Sequence, residues 1–240
     1  MKMDAIENHH VETTVFPGSP SNANQAIRTL RKIFATAKEM KRVTDAPKIQ
    51  TREGEKKRRF IPTEAQEAAV VRQMNQETAD VVLILRGTGM RPKNGMEMRW
   101  ENVRFESAEY ENPQAKTEAG RRLKPLLEDS LVVPQRRHME QGSPKVGWVF
   151  PSPKSPTGHR TTITKQFNRA KALAGAPGQM IPYSLRHKAA TALYSATGNL
   201  KTVMDVIGHS DVATAMKYQH PNVEKLREQL AAAKTDGRIQ

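Results

Sequence analysis

The chain has 240 residues, 39 Lys and Arg against 25 Asp and Glu, a formal net charge of +14 and no cysteine. The charge favours a polyanionic partner, because each phosphate contact releases counterions; the missing cysteine excludes disulfide scaffolds, thiolate zinc sites and a cysteine nucleophile. No apolar run approaches the roughly 20 residues of a membrane span, residues 1–10 lack the apolar centre of a signal peptide, and the seven histidines form no H-E-x-x-H pair, so neither a membrane partner nor a metal is expected.

Residues 1–20 carry Pro17, Gly18 and Pro20 and little periodicity, which predicts a flexible tail. From Ser21 a helical pattern sets in, with Ala26, Ile27, Leu30, Ile33, Phe34, Ala37 and Met40 at steps of three and four. Ser21 or Asn22 is a fitting N-cap and Pro47 closes the unit. This helix has a dry face and, on the sequence, nothing else in the first 60 residues to cover it. Residues 21–60 hold 12 Lys and Arg against 4 Asp and Glu, an excess of eight positive charges. They read either as a solvated linker or as a basic strap for a DNA backbone.

The main domain is expected from residue 60. Thr63 and Gln66 fit a capping box, residues 79–85 are almost wholly apolar and suggest a buried helix, and Gly87 and Gly89 close it. One short helix is expected over 94–100. Between 103 and 127, alternation predicts a small hairpin or three-stranded sheet with a turn at 117–120 and a strand-like rhythm at 122–126. Helices are expected over 130–140, 162–173, 183–197, 200–207, 212–220 and 223–234, the later ones punctuated by Gly198 and Gly208. The fold class is α+β and predominantly helical, with a small antiparallel sheet.

Several side chains carry chemistry. Arg91 stands just past two glycines, where its planar fork suits two oxygens of one phosphate. Lys116 lies at the expected hairpin turn, placed to donate a proton to a leaving oxygen. Arg186 is three residues from Tyr183, which sets both on one helix face. His209 sits in the Gly208-His209-Ser210 corner between two helices. Tyr218 follows on the next helix, with Val212, Ala213 and Met216 as its apolar face. A phenol is a weak nucleophile that a cationic neighbourhood activates, and two arginines, a lysine and a histidine supply one. Taken singly, each has an ordinary alternative: a surface arginine, a turn lysine, a loop histidine, a packed tyrosine. Their joint occurrence in this order is the signal.

That ordered set resembles the tyrosine recombinase (phage integrase) family. Thr88-Gly89-Met90-Arg91-Pro92 through Met98-Arg99-Trp100 is similar to the family's first arginine box, and Lys116 falls at its hairpin lysine. Tyr183-Ser184-Leu185-Arg186-His187 resembles its second box. Gly208-His209-Ser210 and Tyr218-Gln219-His220 resemble its end, with the usual gap between histidine and tyrosine. The resemblance covers about residues 60–235 and implies the family's catalytic-domain fold there. Residues 21–59 look like the last helix and basic linker of its N-terminal DNA-clamping domain. Two positions depart from the pattern: Asn94 stands where the family usually has glutamate, and Tyr183 where it commonly has histidine.

The resemblance implies a site-specific recombinase or integrase that cleaves and rejoins double-stranded DNA through a 3′-phosphotyrosyl link. Tyr218 would be the nucleophile, with Arg91, Arg186 and His209 on the phosphoryl oxygens, Lys116 as acid and Tyr183 adding a hydrogen bond. It implies no cofactor, a homotetramer on DNA, and work in the cytoplasm at the nucleoid. A type IB topoisomerase and a non-catalytic DNA-binding remnant are the alternatives.

Overall fold

The computed structural model describes residues 3–55, 60–115, 118–208, 212–216 and 218. The chain divides into two compact units, Met1–Arg58 and Arg59–Gln240. In the first, a 3-10 turn at Met3–Ala5 is followed by α1 (Asn8–Glu12) and the long α2 (Pro20–Glu39), which has Pro20 in its first turn and Ser19 at its N-cap. Residues 3–20, expected as part of a flexible tail, form short helical turns that pack on α2. Val11 is buried with Ile27, Phe34 and Ile49, and Met3, Ile6 and Phe16 pack against them. The dry face of α2 therefore finds its cover within its own unit. The covering residues follow no helical or strand period in the sequence, which hid them.

The basic segment after α2 is also tied down. Buried Asn24 exchanges two hydrogen bonds with the Arg52 backbone, its Oδ1 accepting from Arg52 N at 2.6 Å and its Nδ2 donating to Arg52 O at 2.9 Å. Arg31 Nε donates to Ile49 O at 2.6 Å. Arg52 itself donates to Thr14 O at 2.6 Å and lies over the Phe16 ring.

In the second unit, α3 (Glu64–Val71) opens on the expected capping box, with Gln66 N donating to Thr63 Oγ1 and Thr63 N donating to Gln66 Oε1. Next comes α4 (Gln76–Thr88), capped by Asn75 and ended by Gly89 at φ 61°. Val81, Val82, Ile84 and Leu85 are all buried, so α4 is surrounded. Its one buried carboxylate, Asp80, accepts from Arg136 at 2.5 Å and Arg137 at 2.9 Å. After α5 (Pro92–Met96) and a 3-10 turn at Trp100–Asn102 come β1 (Val103–Arg104) and β2 (Glu109–Tyr110). The single helix expected over 94–100 thus divides, because Arg99 leaves it to bridge Trp148.

A helical turn, α6 (Glu118–Arg121), precedes β3 (Lys124–Pro125). The sheet is antiparallel in the order β1-β2-β3, pairing Val103 with Tyr110 and Tyr110 with Lys124. The connection from β2 to β3 is thus long, with α6 where a turn was expected; Arg121 Nε closes it on Ala115 O at 3.0 Å. Then follow α7 (Glu128–Glu140), α8 (Thr164–Leu173), α9 (Pro182–Thr197), α10 (Leu200–Ile207) and α11 (Val212–Met216). α4 packs on α7 and α9, and α10 packs on α9. The expected helix over 223–234 lies outside the described residues. Among the described residues, no helix is long and apolar enough to cross a membrane.

A buried cationic site around Arg186

The centre of the site is Arg186 on α9, 1% exposed. Its Nη1 donates to Gly89 O at 2.7 Å and to Ile207 O at 2.8 Å, tying α9 to the end of α4 and the end of α10. Its Nε and Nη2 are buried and have no hydrogen-bond partner among the described residues. Burial pushes this guanidinium down to about 10; Arg91 pushes the same way, and the Tyr183 and Tyr218 phenols oppose it. Tyr183 is close enough to favour the charged form without satisfying Nε or Nη2. A buried guanidinium is held on one side by two carbonyls and has unused donors on the other. That asks for an anion with several acceptors.

Gly89 makes the close approach possible. A Cβ there would lie 2.2 Å from Ile207 Cδ1, and its φ of 61° is in the left-handed region. Arg91 follows as the N-cap residue of α5, its backbone extended and Pro92 fixing the first helical position.

A second buried cation was not singled out from the sequence. Lys124 on β3 is 2% exposed, and its Nζ donates to Val206 O at 2.8 Å. Burial lowers it to about 8, helped by repulsion from Arg186, Arg91 and Arg122 and opposed by Asp205. Arg186 and Lys124 thus hold adjacent carbonyls at the C-terminal end of α10, where helix carbonyls lack partners and the dipole favours cations. The signal in the sequence was strand parity: Lys124 shares its face with buried Leu126, between exposed Leu123 and Pro125.

Tyr218 is 5% exposed and packs with Ala190, Val203 and Ile207. The apolar face expected from Val212 and Met216 is not its bed, since both are exposed; the surface it uses belongs to α9 and α10. Its phenolic oxygen lies 2.9 Å from Nδ1 of His187, and it is within electrostatic reach of Arg186. The Tyr183 ring meets the His187 ring edge-on at 5.1 Å. Arg91, Tyr183, Arg186 and Tyr218 are therefore brought together, with Lys124 and His187 beside them. Lys116 and His209 lie outside the described residues, although Gly208, just before His209, is a left-handed C-cap at φ 78°. Among the described residues, no group of three His, Asp or Glu side chains is spaced to hold a metal ion.

Comparison with known proteins decides what this arrangement belongs to. The model of the phage integrase family matches residues 60–225. The chain belongs to that family. Among relatives, an integrase/recombinase of Escherichia coli is 28% identical over 178 residues, covering 57% of this chain and 52% of its own. The tyrosine recombinase XerD of Shewanella oneidensis is 25% identical over 224 residues, covering 87% and 73%. This phage integrase family member spans about half the length of the first curated relatives it matches. Its fold is that of the Tn1549 transposon integrase, solved with a circular intermediate DNA (TM-score 0.75, 19% identity, 96% of this chain and 86% of that one). The lambda integrase dimer bound to a core site is similar (TM-score 0.70, 17% identity, 92% and 82%). The mostly helical catalytic-domain fold with a small antiparallel sheet is therefore shown, whereas a topoisomerase and a non-catalytic remnant find no support in these comparisons.

Proposed function

We propose that this chain is the DNA-breaking-and-joining part of a site-specific recombinase. The observation that carries this reading is the Arg186 guanidinium. It is buried and pinned to two carbonyls; among the described residues its Nε and Nη2 have no hydrogen-bond partner, and the phenol of Tyr218 is within electrostatic reach. A DNA phosphate supplies the acceptors those donors lack. Tyr218 attacks the phosphorus in line, a 3′-phosphotyrosyl link forms and the 5′-oxygen leaves. Arg91, Arg186 and His209 stabilise the charge that develops on the phosphoryl oxygens, and such preorganised charge is usually the largest catalytic term. Lys116 gives the leaving oxygen its proton, and Tyr183 adds a hydrogen bond. The covalent link conserves the bond energy, so rejoining requires no nucleotide cofactor. Exchange between two duplexes needs four cleaved strands, hence a homotetramer on double-stranded DNA. Residues 21–59 act as part of a DNA clamp, and the work is done on DNA in the cytoplasm.

The relatives and solved structures named above support the reading: integrases and a Xer recombinase, two of the integrases solved on DNA. A suicide DNA duplex, which traps the covalent adduct, tests it. The full chain should form an adduct that Tyr218→Phe abolishes. Arg186→Ala should slow adduct formation by about 10²–10³-fold while keeping most DNA binding, measured by gel shift. An adduct that survives Tyr218→Phe, or equal loss of binding and cleavage in Arg186→Ala, would refute these roles.

A further inference from the structure

Building on the assignment of Tyr218 as nucleophile, we propose that His187 is the base that takes its proton. His187 Nδ1 lies 2.9 Å from the Tyr218 phenolic oxygen, the ring centroids being 5.8 Å apart at 41°. This is hydrogen-bond distance to the atom that attacks. The other groups gathered here are ill-suited to the task. Arg91 and Arg186 are cations with no lone pair to offer, Lys124 is engaged with Val206 O through its Nζ, and Tyr183 is itself a phenol, a poor acceptor while neutral. Imidazole is the side chain whose ordinary titration lies nearest neutral pH.

His187 is also held in place. Leu185 and Arg186 just before it and Ala190 after it are buried, which fixes the face of α9 that it occupies. Tyr183, one turn earlier, closes against the ring edge-on. The phenol belongs to a residue that is buried against α9 and α10. Neither residue can drift far without breaking core contacts.

The step balances. With its own proton on Nε2, neutral His187 accepts the phenolic proton at Nδ1. The bond from Tyr218 oxygen to phosphorus forms as the bond from phosphorus to the 5′-oxygen breaks, and that oxygen takes its proton from the acid assigned to Lys116. On rejoining, the 5′-hydroxyl attacks, the tyrosyl oxygen leaves and His187 returns the proton to it. The imidazolium formed during cleavage adds positive charge beside the phosphate.

His187→Ala and His187→Asn in the full chain, assayed on the suicide duplex at saturating DNA, test the assignment. His187→Ala should slow adduct formation by about 10²-fold or more, with DNA affinity within about threefold of wild type. Added imidazole should restore its rate in proportion to the unprotonated imidazole present. His187→Asn keeps a hydrogen-bonding group near Nδ1 but accepts no proton, and it should be as slow as the alanine variant. An alanine variant within about threefold of wild type overturns the proposal. So does an asparagine variant at wild-type rate, or an alanine defect that imidazole leaves untouched. In each of those cases a wild-type adduct that still depends on Tyr218 leaves the recombinase reading standing. Absence of any wild-type adduct would instead overturn that reading.

Discussion

At the scale of single residues, the site concentrates charge that folding alone would avoid. Burial, and after it repulsion from Arg186, Arg91 and Arg122, depresses Lys124 to about 8 from 10.5. Between those two values the unfolded chain binds more protons than the folded one, so the stability tied to this residue rises with pH across that window. Below it, the folded state carries the full burden of the buried charge. Lys124→Met has no proton to lose. From pH 7.5 to 11 the wild type should therefore gain about 3 kcal/mol on the variant, measured as the difference in urea unfolding free energy across a pH series. A difference that stays flat would show that neither burial nor its cationic neighbours depress Lys124. Arg186 carries the same kind of burden, and its two donors without a partner among the described residues make it the sharper pointer to a bound anion.

At the scale of elements, the site is a meeting of ends: the end of α4, the first turns of α9 and the end of α10. Two glycines permit the meeting. Gly208 lets the chain leave α10 in the left-handed region, and Gly89 lets Ile207 sit against the backbone that follows α4. Gly89→Ala would impose both a strained φ and a collision. It should cost about 2–4 kcal/mol in denaturant unfolding and reduce adduct formation with it. A loss below about 1 kcal/mol would mean that α10 slides aside freely. The buried Glu67 carboxylate steadies α9 from another direction, accepting from Lys188 at 2.5 Å with Arg86 3.6 Å away. Helix ends were legible in the sequence at Thr63, Gly89, Gly198 and Gly208 because these are chemically specific caps. The segment between β2 and β3 was not, since α6 is a single helical turn with no period of its own.

At the scale of the molecule, two compact units share a net charge of +14. Part of the basic segment that reads as a strap is spent within the first unit, where Arg52 donates to Thr14 O and Arg28 pairs with Glu55. The run Lys56-Lys57-Arg58-Arg59, outside the described residues, is the densest group of cations in that segment and the part to test as a strap for a DNA backbone. Changing all four to Gln should flatten the slope of log binding constant against log salt by up to about 0.9 for each phosphate no longer neutralised. Cleavage at saturating DNA should stay near the wild-type rate. An unchanged slope would make the run a simple linker.

Local spacing and residue chemistry were enough to establish the helical class, the small sheet, the capping box at Thr63, the glycine ends at Gly89, Gly198 and Gly208, and the order of the candidate site side chains; the N-cap expected at Ser21 or Asn22 falls instead at Ser19. Arg91, Tyr183, Arg186 and Tyr218 were named from that order alone. Which groups touch was settled only by packing in three dimensions. Packing covered the dry face of α2 with irregularly spaced residues before residue 20 and in the segment after it, set Lys124 beside two arginines, bedded Tyr218 on α9 and α10, and laid His187 against its oxygen. Such pairings join residues far apart along the chain, 97 positions in the case of Gly89 and Arg186. Their distance is fixed by helix packing and by the pull of buried polar groups toward partners, neither of which leaves a periodic trace along the chain.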